Sequence, residues 1–566
     1  MVKSDMAGGT TSATRDASNN DSAQGSPTAI TAASQPIPGR PSSMLEIQEA
    51  AEASAANEDD DIVYPTGTKL GLTIASMMLS CVAYGVDLTI IAAAVPAVTN
   101  DFHSIRDIGW YSAVYGLVGS SLTFFWSRCY TLFRIKTVYM SSIVIFEAGA
   151  LLAAVAPTSA SFILGRAVSG CGGTGMSTGT FLTLTHSFPN HKRPMWNGIV
   201  AMVQTAAMVS SPLIGGALID SLSWRWCFYI NLPLGAIALI MIFFGFRSPI
   251  TNTDESLPLK QKLKKLDLPG TMVFVPAIAC LLLALQWGGL TYGWGNARIV
   301  GLLVVFAVLI LVFGYWQFRL QDNAMLPPRL LKNRNLLAGA FFGACCDGVL
   351  ALTEIYIAIY FQGVRGFTAL KSGYLGISMI IGLSVSILLA GFGTSWVGYY
   401  NPFMILTSIV TPIASGLLTT LDLESDLPKV LALLGLIGAA IGFGITAPHA
   451  AVSTVLAIKD VPMGMGIVGF IGRLLPAILV SSSATLFQNR LSAEVAHSAP
   501  GQNITTVKTA GLSDLRDVIG QDRLRDVLLG YDAAVSQTLY LPLALASVSI
   551  VGAASMQWIS VKKKSD

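Results

Sequence analysis

Carboxylic acids inside long apolar segments are the residues of this sequence with the clearest capacity for chemistry. Asp87 lies within one such segment, and Asp347 and Glu354 lie seven residues apart in another, nearly on one face of a helix. Burial favours the neutral form of a carboxylic acid, which can take up and release a proton as its surroundings change. We therefore select Asp87, Asp347 and Glu354 as candidate proton-coupling residues. Alternatively, Asp87 pairs permanently with an arginine and the other two only line a wet cavity.

Basic groups occur in the same kind of segment. Arg166 lies near the end of one apolar stretch, and Arg473 is central in another. Ionisable groups are costly in an apolar environment and by default indicate a function or a partner. Both arginines are candidates for a substrate or proton path; the alternatives are a clamp between helices for Arg166 and a cap on a carboxylate for Arg473. Glu147 is interpreted as a packed, hydrogen-bonded residue.

The sequence gives no support for nucleotide binding, disulfide bonds, a metal site or a nucleic-acid partner. The fragment Gly170–Gly175 superficially matches a glycine-rich nucleotide loop, but it lies in an apolar helix with no preceding strand, and no Walker lysine motif occurs. The seven cysteines lie in or beside apolar runs, which indicates neither a disulfide framework nor a metal site. The net charge of +3 is too small to suggest a nucleic-acid partner. We expect no enzyme activity, no cofactor and no metal, and we expect a monomer whose partners are protons, a small-molecule substrate and the lipid bilayer.

Long apolar stretches must position these residues. Of the 566 residues, 53% are hydrophobic and 12% charged, whereas soluble proteins carry about 25% charged residues. The stretches are long enough to cross a hydrocarbon core of about 30 Å as helices, and we count about fourteen, grouped as six, two and six. The prediction is an all-α polytopic membrane protein with two six-helix bundles and two extra central spans.

Composition and charge divide the chain into five parts. In order, these are a disordered cytosolic tail (1–66), an N-terminal six-helix bundle (67–247), a cytosolic connection with two extra spans (248–335), a C-terminal six-helix bundle (336–560) that includes an extracellular loop (488–533), and a cytosolic C-terminus (561–566). The excess of Lys and Arg in alternate short loops places both termini in the cytosol. Asn503, which begins an Asn-Ile-Thr triplet in the extracellular loop, is a candidate glycosylation site.

Glycine clusters occur in the fourth span of each group of six. The first cluster includes Gly170 and Gly175, and the second includes Gly438 and Gly442. Small residues let helix backbones approach closely in lipid, and matching clusters in two halves suggest hinge or sliding helices around a central cavity. Ordinary helix packing is the alternative.

Several motifs carry a family resemblance. They are Asp87 to Ile91 with the following Ala94-Val95-Pro96, Ile108 to Tyr111, Leu164-Gly165-Arg166, and the run Ser-Trp-Arg-Trp-Cys-Phe-Tyr-Ile-Asn-Leu-Pro from Ser223 to Pro233. From Gly67 to Ser560 the chain resembles the major facilitator superfamily, in particular the fourteen-span drug:proton antiporters and the fungal toxin and multidrug efflux pumps. The resemblance implies export of a toxin, secondary metabolite or drug by alternating access.

The fifth span departs in part from the antiporter motif of that branch. It keeps Pro212, Gly215 and Gly216, which we take as hinge or gate residues, but Ala207 and Ser211 replace glycines. A proline bends a helix because it removes a backbone donor, and alanine or serine still permits close packing. We expect the bend to survive, while strict antiport is less assured.

The connection between the second and third spans also departs from the family pattern. It keeps the family's basic residues, Arg128, Arg134 and Lys136, which the resemblance assigns to a cytosolic gate loop. Ser127 stands where the family has glycine, so a gate that depends on a tight turn is expected to be altered.

Two basic residues of the last half stand where the family has uncharged polar ones. They are Arg473 and His449, which we add to the candidate path residues, and they suggest an anionic or otherwise unusual substrate. The function we predict is proton-coupled export of small organic molecules. The alternatives are import of a siderophore-like chelate or a nutrient and, with less support, a membrane sensor that does not transport. The plasma membrane is the expected location, with a vacuolar or vesicle membrane as the alternative.

Overall fold

The computed structural model describes residues 64–104, 107–247, 258–289, 292–500 and 521–562. Nearly all of the predicted tail, the candidate glycosylation site Asn503 and the last four residues lie outside these ranges. Apart from one isolated bridge between Gly288 and Tyr292, the regular elements of the described residues are helical. The prediction of an all-α chain is confirmed.

The first half begins its helices where apolar runs follow turn or capping residues. Its helices are α1 (Gly67–Phe102), α2 (Ile108–Ser121), α3 (Thr123–Leu132), α4 (Ile135–Ala154), α5 (Ser159–Thr185), α6 (Arg193–Ser221), α7 (Trp226–Tyr229) and α8 (Asn231–Gly245). A capping box starts α5, where the Thr158 hydroxyl accepts a hydrogen bond from the Ser161 backbone N–H.

An insert of three helices separates the two halves. It comprises α9 (Leu259–Lys265), α10 (Leu268–Trp287) and α11 (Ala297–Leu320). The second half comprises α12 (Arg334–Ile359), α13 (Ala369–Val397), α14 (Asn401–Leu418), α15 (Leu427–Gly442), α16 (Ala447–Val455), α17 (Val461–Ser498), α18 (Gln521–Thr538) and α19 (Tyr540–Ser555). Because α17 ends only at Ser498 and α18 begins at Gln521, both described ends of the loop predicted over 488–533 are helical.

Twelve helices within the described ranges are long and apolar enough to cross a membrane. Two predicted spans are not among them. The second predicted span is interrupted at Leu122, where α2 ends and α3 begins, and the fourth corresponds to α5, which is rich in Gly, Ser and Thr. The polytopic membrane fold is therefore confirmed, while the number fourteen stays a prediction.

The two halves repeat the same contacts between helices. In the first half α1 packs against α6 and α8, and α5 packs against α2 and α4. In the second half α12 packs against α17 and α19, and α15 packs against α13 and α14. Glycines permit two of these approaches, because a Cβ at Gly172 would collide with the backbone of Phe146, and one at Gly438 with the backbone of Met379. Matching contacts support the predicted duplication.

The halves meet along two lines of contact, which we call seams. One seam joins α6 to α13, and the other joins α3 to α17. The insert helix α10 packs against the second seam: the Phe274 ring lies 5.4 Å from those of Phe124 and Phe470, which are 4.9 Å apart. Farther along α10, the Ser481 hydroxyl donates to the Leu285 carbonyl at 2.6 Å. The insert therefore contacts both bundles at one seam.

Candidate functional site

A cavity of about 860 Å³ lies between the two halves. Its wall is mostly apolar and is formed largely by α1, α6, α12 and α13. Four ionisable residues contribute to the wall: Asp347 and Glu354 from α12, His449 from α16 and Arg473 from α17. The structure thus brings together four of the candidate proton and path residues, all from the second half of the chain.

Polar contacts between the halves lie toward the predicted cytosolic end of this cavity. The Arg193 guanidinium at the start of α6 donates to the Ser453 carbonyl at 3.2 Å, near the end of α16. The Met195 backbone N–H donates to the Ser395 hydroxyl of α13 at 3.1 Å. Because both contacts join the first half to the second, they hold the bundles together at that end.

Glycines bring α6 and α13 into backbone contact at the same end. A Cβ at Gly391 would lie 2.8 Å from the Pro194 carbonyl oxygen and 3.3 Å from the Gly198 Cα. At the other end of this seam, Leu213 and Tyr374 line the cavity although 45% and 55% of their surfaces are exposed. The cavity is therefore closed toward the predicted cytosolic side and has an exposed rim toward the opposite side.

Arg473 connects the second half to the first across the cavity. Its guanidinium donates to the Thr123 hydroxyl at 3.3 Å and to the Tyr84 hydroxyl at 3.5 Å. Asp347 lies beside the same turn of α17, since a Cβ at Gly472 would be 2.8 Å from its Oδ2. A carboxylate thus stands next to an arginine that bridges the two bundles.

His449 and Glu354 occupy different surroundings in the wall. The His449 imidazole stacks on the Phe181 ring, with 4.5 Å between centroids and 23° between planes. Glu354 is exposed to the cavity. A ligand in the cavity could therefore contact a stacked aromatic pair and an accessible acid.

Asp87 and Arg166 form a buried ion pair inside the N-terminal bundle. The Arg166 Nη1 lies 2.8 Å from Asp87 Oδ2, and both residues are 0% exposed. The Asn231 side-chain amide donates to the other carboxylate oxygen at 3.3 Å, while the guanidinium lies over the Tyr115 ring at 4.6 Å and the Phe228 ring at 5.7 Å. Neither member of the pair belongs to the cavity wall described above.

The candidate hinge residues differ in how tightly they are packed. Gly170 faces the backbone of α2, and Gly175 faces an indole ring of α3, so neither has room for a Cβ. A Cβ at Gly215 would lie 3.0 Å from a side chain of α1, whereas a Cβ at Gly216 would meet nothing within 4 Å. Pro212 lies inside α6 and lines the cavity.

The three residues of the predicted gate loop do not share a loop. Arg128 lies within α3 and Lys136 in the first turn of α4, so only Phe133 and Arg134 connect the two helices. The Arg128 guanidinium donates to two backbone carbonyls of the insert, at the end of α9 (3.0 Å) and just after α11 (3.2 Å). The Lys136 ammonium donates to a backbone carbonyl of α8. These two basic residues therefore link their helices to neighbouring elements through backbone carbonyls.

Ser127 is accommodated by the opposite half of the chain. It is fully buried, and its hydroxyl donates to the Thr123 carbonyl at 3.1 Å. A Cβ at Gly466 of α17 would collide with the Ser127 hydroxyl. The glycine expected in α3 is thus replaced by a glycine on the helix that faces it.

Sequence reasoning did not select several residues of these two sites. Tyr84 lies three residues before Asp87 in α1, so helical periodicity offered a signal for it. Asn231 lies within the motif that ends at Pro233, but only the fold shows that its amide reaches Asp87. Phe181 and Gln204 line the cavity from α5 and α6, and their sequence neighbours gave no signal for them.

Two helical bundles around a central cavity that is closed at one end define the class of membrane transporters that alternate their access between two sides. A family profile described as the Major Facilitator Superfamily matches residues 77–480. The chain belongs to the Major Facilitator Superfamily. This assignment confirms the predicted family, and it identifies an integral membrane transporter rather than an enzyme.

Curated relatives agree with this assignment, and a solved structure shares the fold. The chain is 39% identical over 515 residues to the "MFS-type efflux pump MFS1" of Arthroderma benhamiae, covering 91% of this chain and 96% of that protein. It is 37% identical over 500 residues to the "MFS thioclapurine efflux transporter tcpA" of Claviceps purpurea, covering 88% and 92%. The solved proton:xylose symporter XylE matches with a TM-score of 0.53 at 12% identity, over 85% of this chain and 94% of that one, which shows a shared fold.

Proposed function

We propose that this protein is a proton-coupled exporter of small organic molecules that works by alternating access. The observation that carries the proposal is the presence of two acids, Asp347 and Glu354, on the wall of a mostly apolar cavity closed at one end. An apolar wall suits a molecule with a large hydrocarbon surface. Protons and substrate bind to the same cavity wall, so the binding of one disfavours the binding of the other. Each change of facing state then carries either protons or substrate, and the two cross the membrane in opposite directions.

The direction of transport is supported by the relatives. Both curated relatives named above are described as efflux proteins, and each aligns with most of this chain. Import by the same cavity would need the opposite coupling, with proton and substrate moving together. The direction of proton movement during transport therefore separates the two functions.

We propose that the protein is a monomer in the plasma membrane and that both of its termini lie in the cytosol. In this orientation the cavity is closed to the cytosol, the facing state from which an exporter releases its substrate. The same orientation exposes Asn503 to the lumen of the secretory pathway. A glycosidase-sensitive shift in gel mobility, lost in Asn503→Gln, tests the orientation, and cell-surface biotinylation tests the membrane.

The coupling is tested in proteoliposomes that contain a pH-sensitive dye. Extracellular compounds whose amounts fall when the gene is deleted supply the substrates to be assayed. We expect substrate movement to dissipate an imposed pH gradient, and we expect Asp347→Asn with Glu354→Gln to abolish that dissipation. Asp220→Asn, which alters an exposed acid near the end of α6, is the matched control and should behave like the parent.

Two results would count against the proposal. Transport that proceeds at the same rate with and without the pH gradient would exclude proton coupling. If substrate and protons enter the vesicles together, the protein is an importer rather than an exporter.

A further inference from the structure

Glu147 on α4 is a half-buried acid that plays no part in the function proposed above. Both of its carboxyl oxygens are buried and have no hydrogen-bond partner among the described residues. The carboxyl group packs against Gly235 of α8, where a Cβ would collide with it. Glycine at this position therefore provides the space that the acid occupies.

Gly235, which the Glu147 carboxyl group contacts, lies one turn after Asn231 on the same face of α8. Residues four apart on a helix lie on one face, and Cα–Cβ bonds tilt toward the helix N-terminus. The group that fills the Cβ site of Gly235 therefore lies over the turn that begins at Asn231. The Asn231 amide is fully buried; its nitrogen donates to Asp87 at 3.3 Å, and its oxygen has no partner in the described part of the chain.

Further buried polar atoms around Asp87 also lack partners in the described ranges. They are the Nε of Arg166 and the hydroxyl of Tyr115, whose ring lies under that guanidinium. Most buried polar groups in native proteins are hydrogen-bonded, so a cluster without partners calls for an explanation. Here the cluster surrounds the Asp87 carboxylate, which is paired with Arg166 inside the bundle.

An ionised carboxylate without donors is strongly disfavoured in an apolar interior, and the group becomes neutral instead. A neutral Glu147 carries an O–H donor, and the oxygen of Asn231, one turn before Gly235 on the same face of α8, is an unused acceptor. The amide of Asn231 can then serve one neutral acid through its oxygen and one charged acid through its nitrogen. It cannot serve two charged acids in this way, because its oxygen would face a negative charge.

We propose that Glu147 is a second proton-binding residue of the N-terminal bundle, and that Asn231 couples its protonation to that of Asp87. The proton resides on a carboxyl oxygen of Glu147 while Asp87 is ionised and paired with Arg166. Asp87 of α1 acts electrostatically on Glu147. On the helices packed against α4, Arg166 of α5 is engaged by Asp87, and the Cys227 thiol of α7 is directed to a carbonyl of α6. The inference extends the proposed proton coupling and rests on it only for its role in transport.

Infrared difference spectra of the purified full-length protein test proton binding without any substrate. We expect the parent protein at neutral pH to show the C=O stretching band of a buried, protonated carboxylic acid, and Glu147→Gln to lose it. Asp87→Asn should shift the frequency or the pH midpoint of that band, because Asn231 then contacts a neutral group. Glu354→Gln is the matched control; it removes an acid of the other half and should leave the Glu147 band unchanged.

A second measurement avoids any change at Glu147. Glutamate labelled with ¹³C, incorporated into the Glu354→Gln protein, should shift the same band and so assign it to glutamate. The inference is overturned if Glu147→Gln retains every protonated-acid band of the parent, or if Asp87→Asn leaves the Glu147 band at its parental frequency and midpoint. Absence of pH-driven transport would refute the proposed function and leave these spectra unaffected, so the two failures are distinguishable.

Discussion

Replacing Gly391 with alanine should shift this transporter away from the facing state of this structure, which is closed at the end where α6 and α13 are in backbone contact. Gly391 lies on α13 at the place where that helix meets the backbone of α6. The added methyl group would lie 2.8 Å from the Pro194 carbonyl oxygen and 3.3 Å from the Gly198 Cα. Because both neighbours are backbone atoms, neither can rotate away, and the two helices must separate.

The size of the effect follows from this overlap. Unstrained carbon contacts lie at about 3.5–4.0 Å, so α6 and α13 must move apart by roughly 0.5–1 Å. Added methyl groups in packed sites typically destabilise by about 1–3 kcal/mol. Alternating access separates the two bundles at this end in the opposite facing state, so we expect the strain to fall on the closed state. The ratio of the two facing states should then change by about 5- to 150-fold.

Hydrogen exchange measured by mass spectrometry reports this change. Peptides that cover residues 193–200 and 387–397 should exchange faster in Gly391→Ala than in the parent. Gly376→Ala on the same helix is the matched control, because a Cβ there meets nothing within 4 Å. Equal exchange in the two variants would refute the reasoning, as would a lower melting temperature without faster exchange at these peptides.

Three further predictions concern single sites. Arg166→Ala should lower the free energy of unfolding by about 3–5 kcal/mol, because it leaves the buried Asp87 without its arginine partner. Adding Asp87→Ala should restore part of this loss, as measured by thermal melting. A double variant less stable than Arg166→Ala would contradict this. Gly466→Ala should impair folding, because the added methyl group collides with Ser127. Adding Ser127→Gly should restore folding in the double variant. If the two substitutions change stability independently, the two sites do not touch. Glu354→Gln should flatten the pH dependence of transport in proteoliposomes, since it removes a titratable group from the cavity wall; an unchanged pH profile would exclude Glu354 from coupling.

Much of the fold could be predicted because the bilayer imposes it. Long apolar runs have few alternatives to spanning helices, and the contacts repeated in both halves follow from the duplicated pattern. The interruption at Leu122 is not predicted, although the run Gly119-Ser120-Ser121 directly precedes it and Gly/Ser pairs are a common cause of helix kinks. The sequence also does not predict the helical ends of the segment 488–533, because their polar composition is typical of loops.

The candidate site could be predicted as a set of residues but not as an arrangement. Asp87 and Arg166 were each conspicuous as charges in apolar helices, yet their separation of 2.8 Å depends on the packing of α1 against α5. Arg473 reaches Tyr84 only because the two halves meet at that level. The sequence predicts a hydrogen-bonded Glu147, whereas its carboxyl oxygens have no hydrogen-bond partner among the described residues. Contacts between distant segments decide these points.

The insert helix α10 has a consequence for inhibition. It packs against the seam between α3 and α17, where Phe274 lies against an aromatic ring from each half. Rotation of one bundle past the other must slide at least one of these rings over its neighbour. A small molecule wedged between α10 and α17 would therefore stop the transport cycle without occupying the cavity. Such a compound should act noncompetitively, lowering the maximal transport rate while leaving the apparent affinity for substrate unchanged.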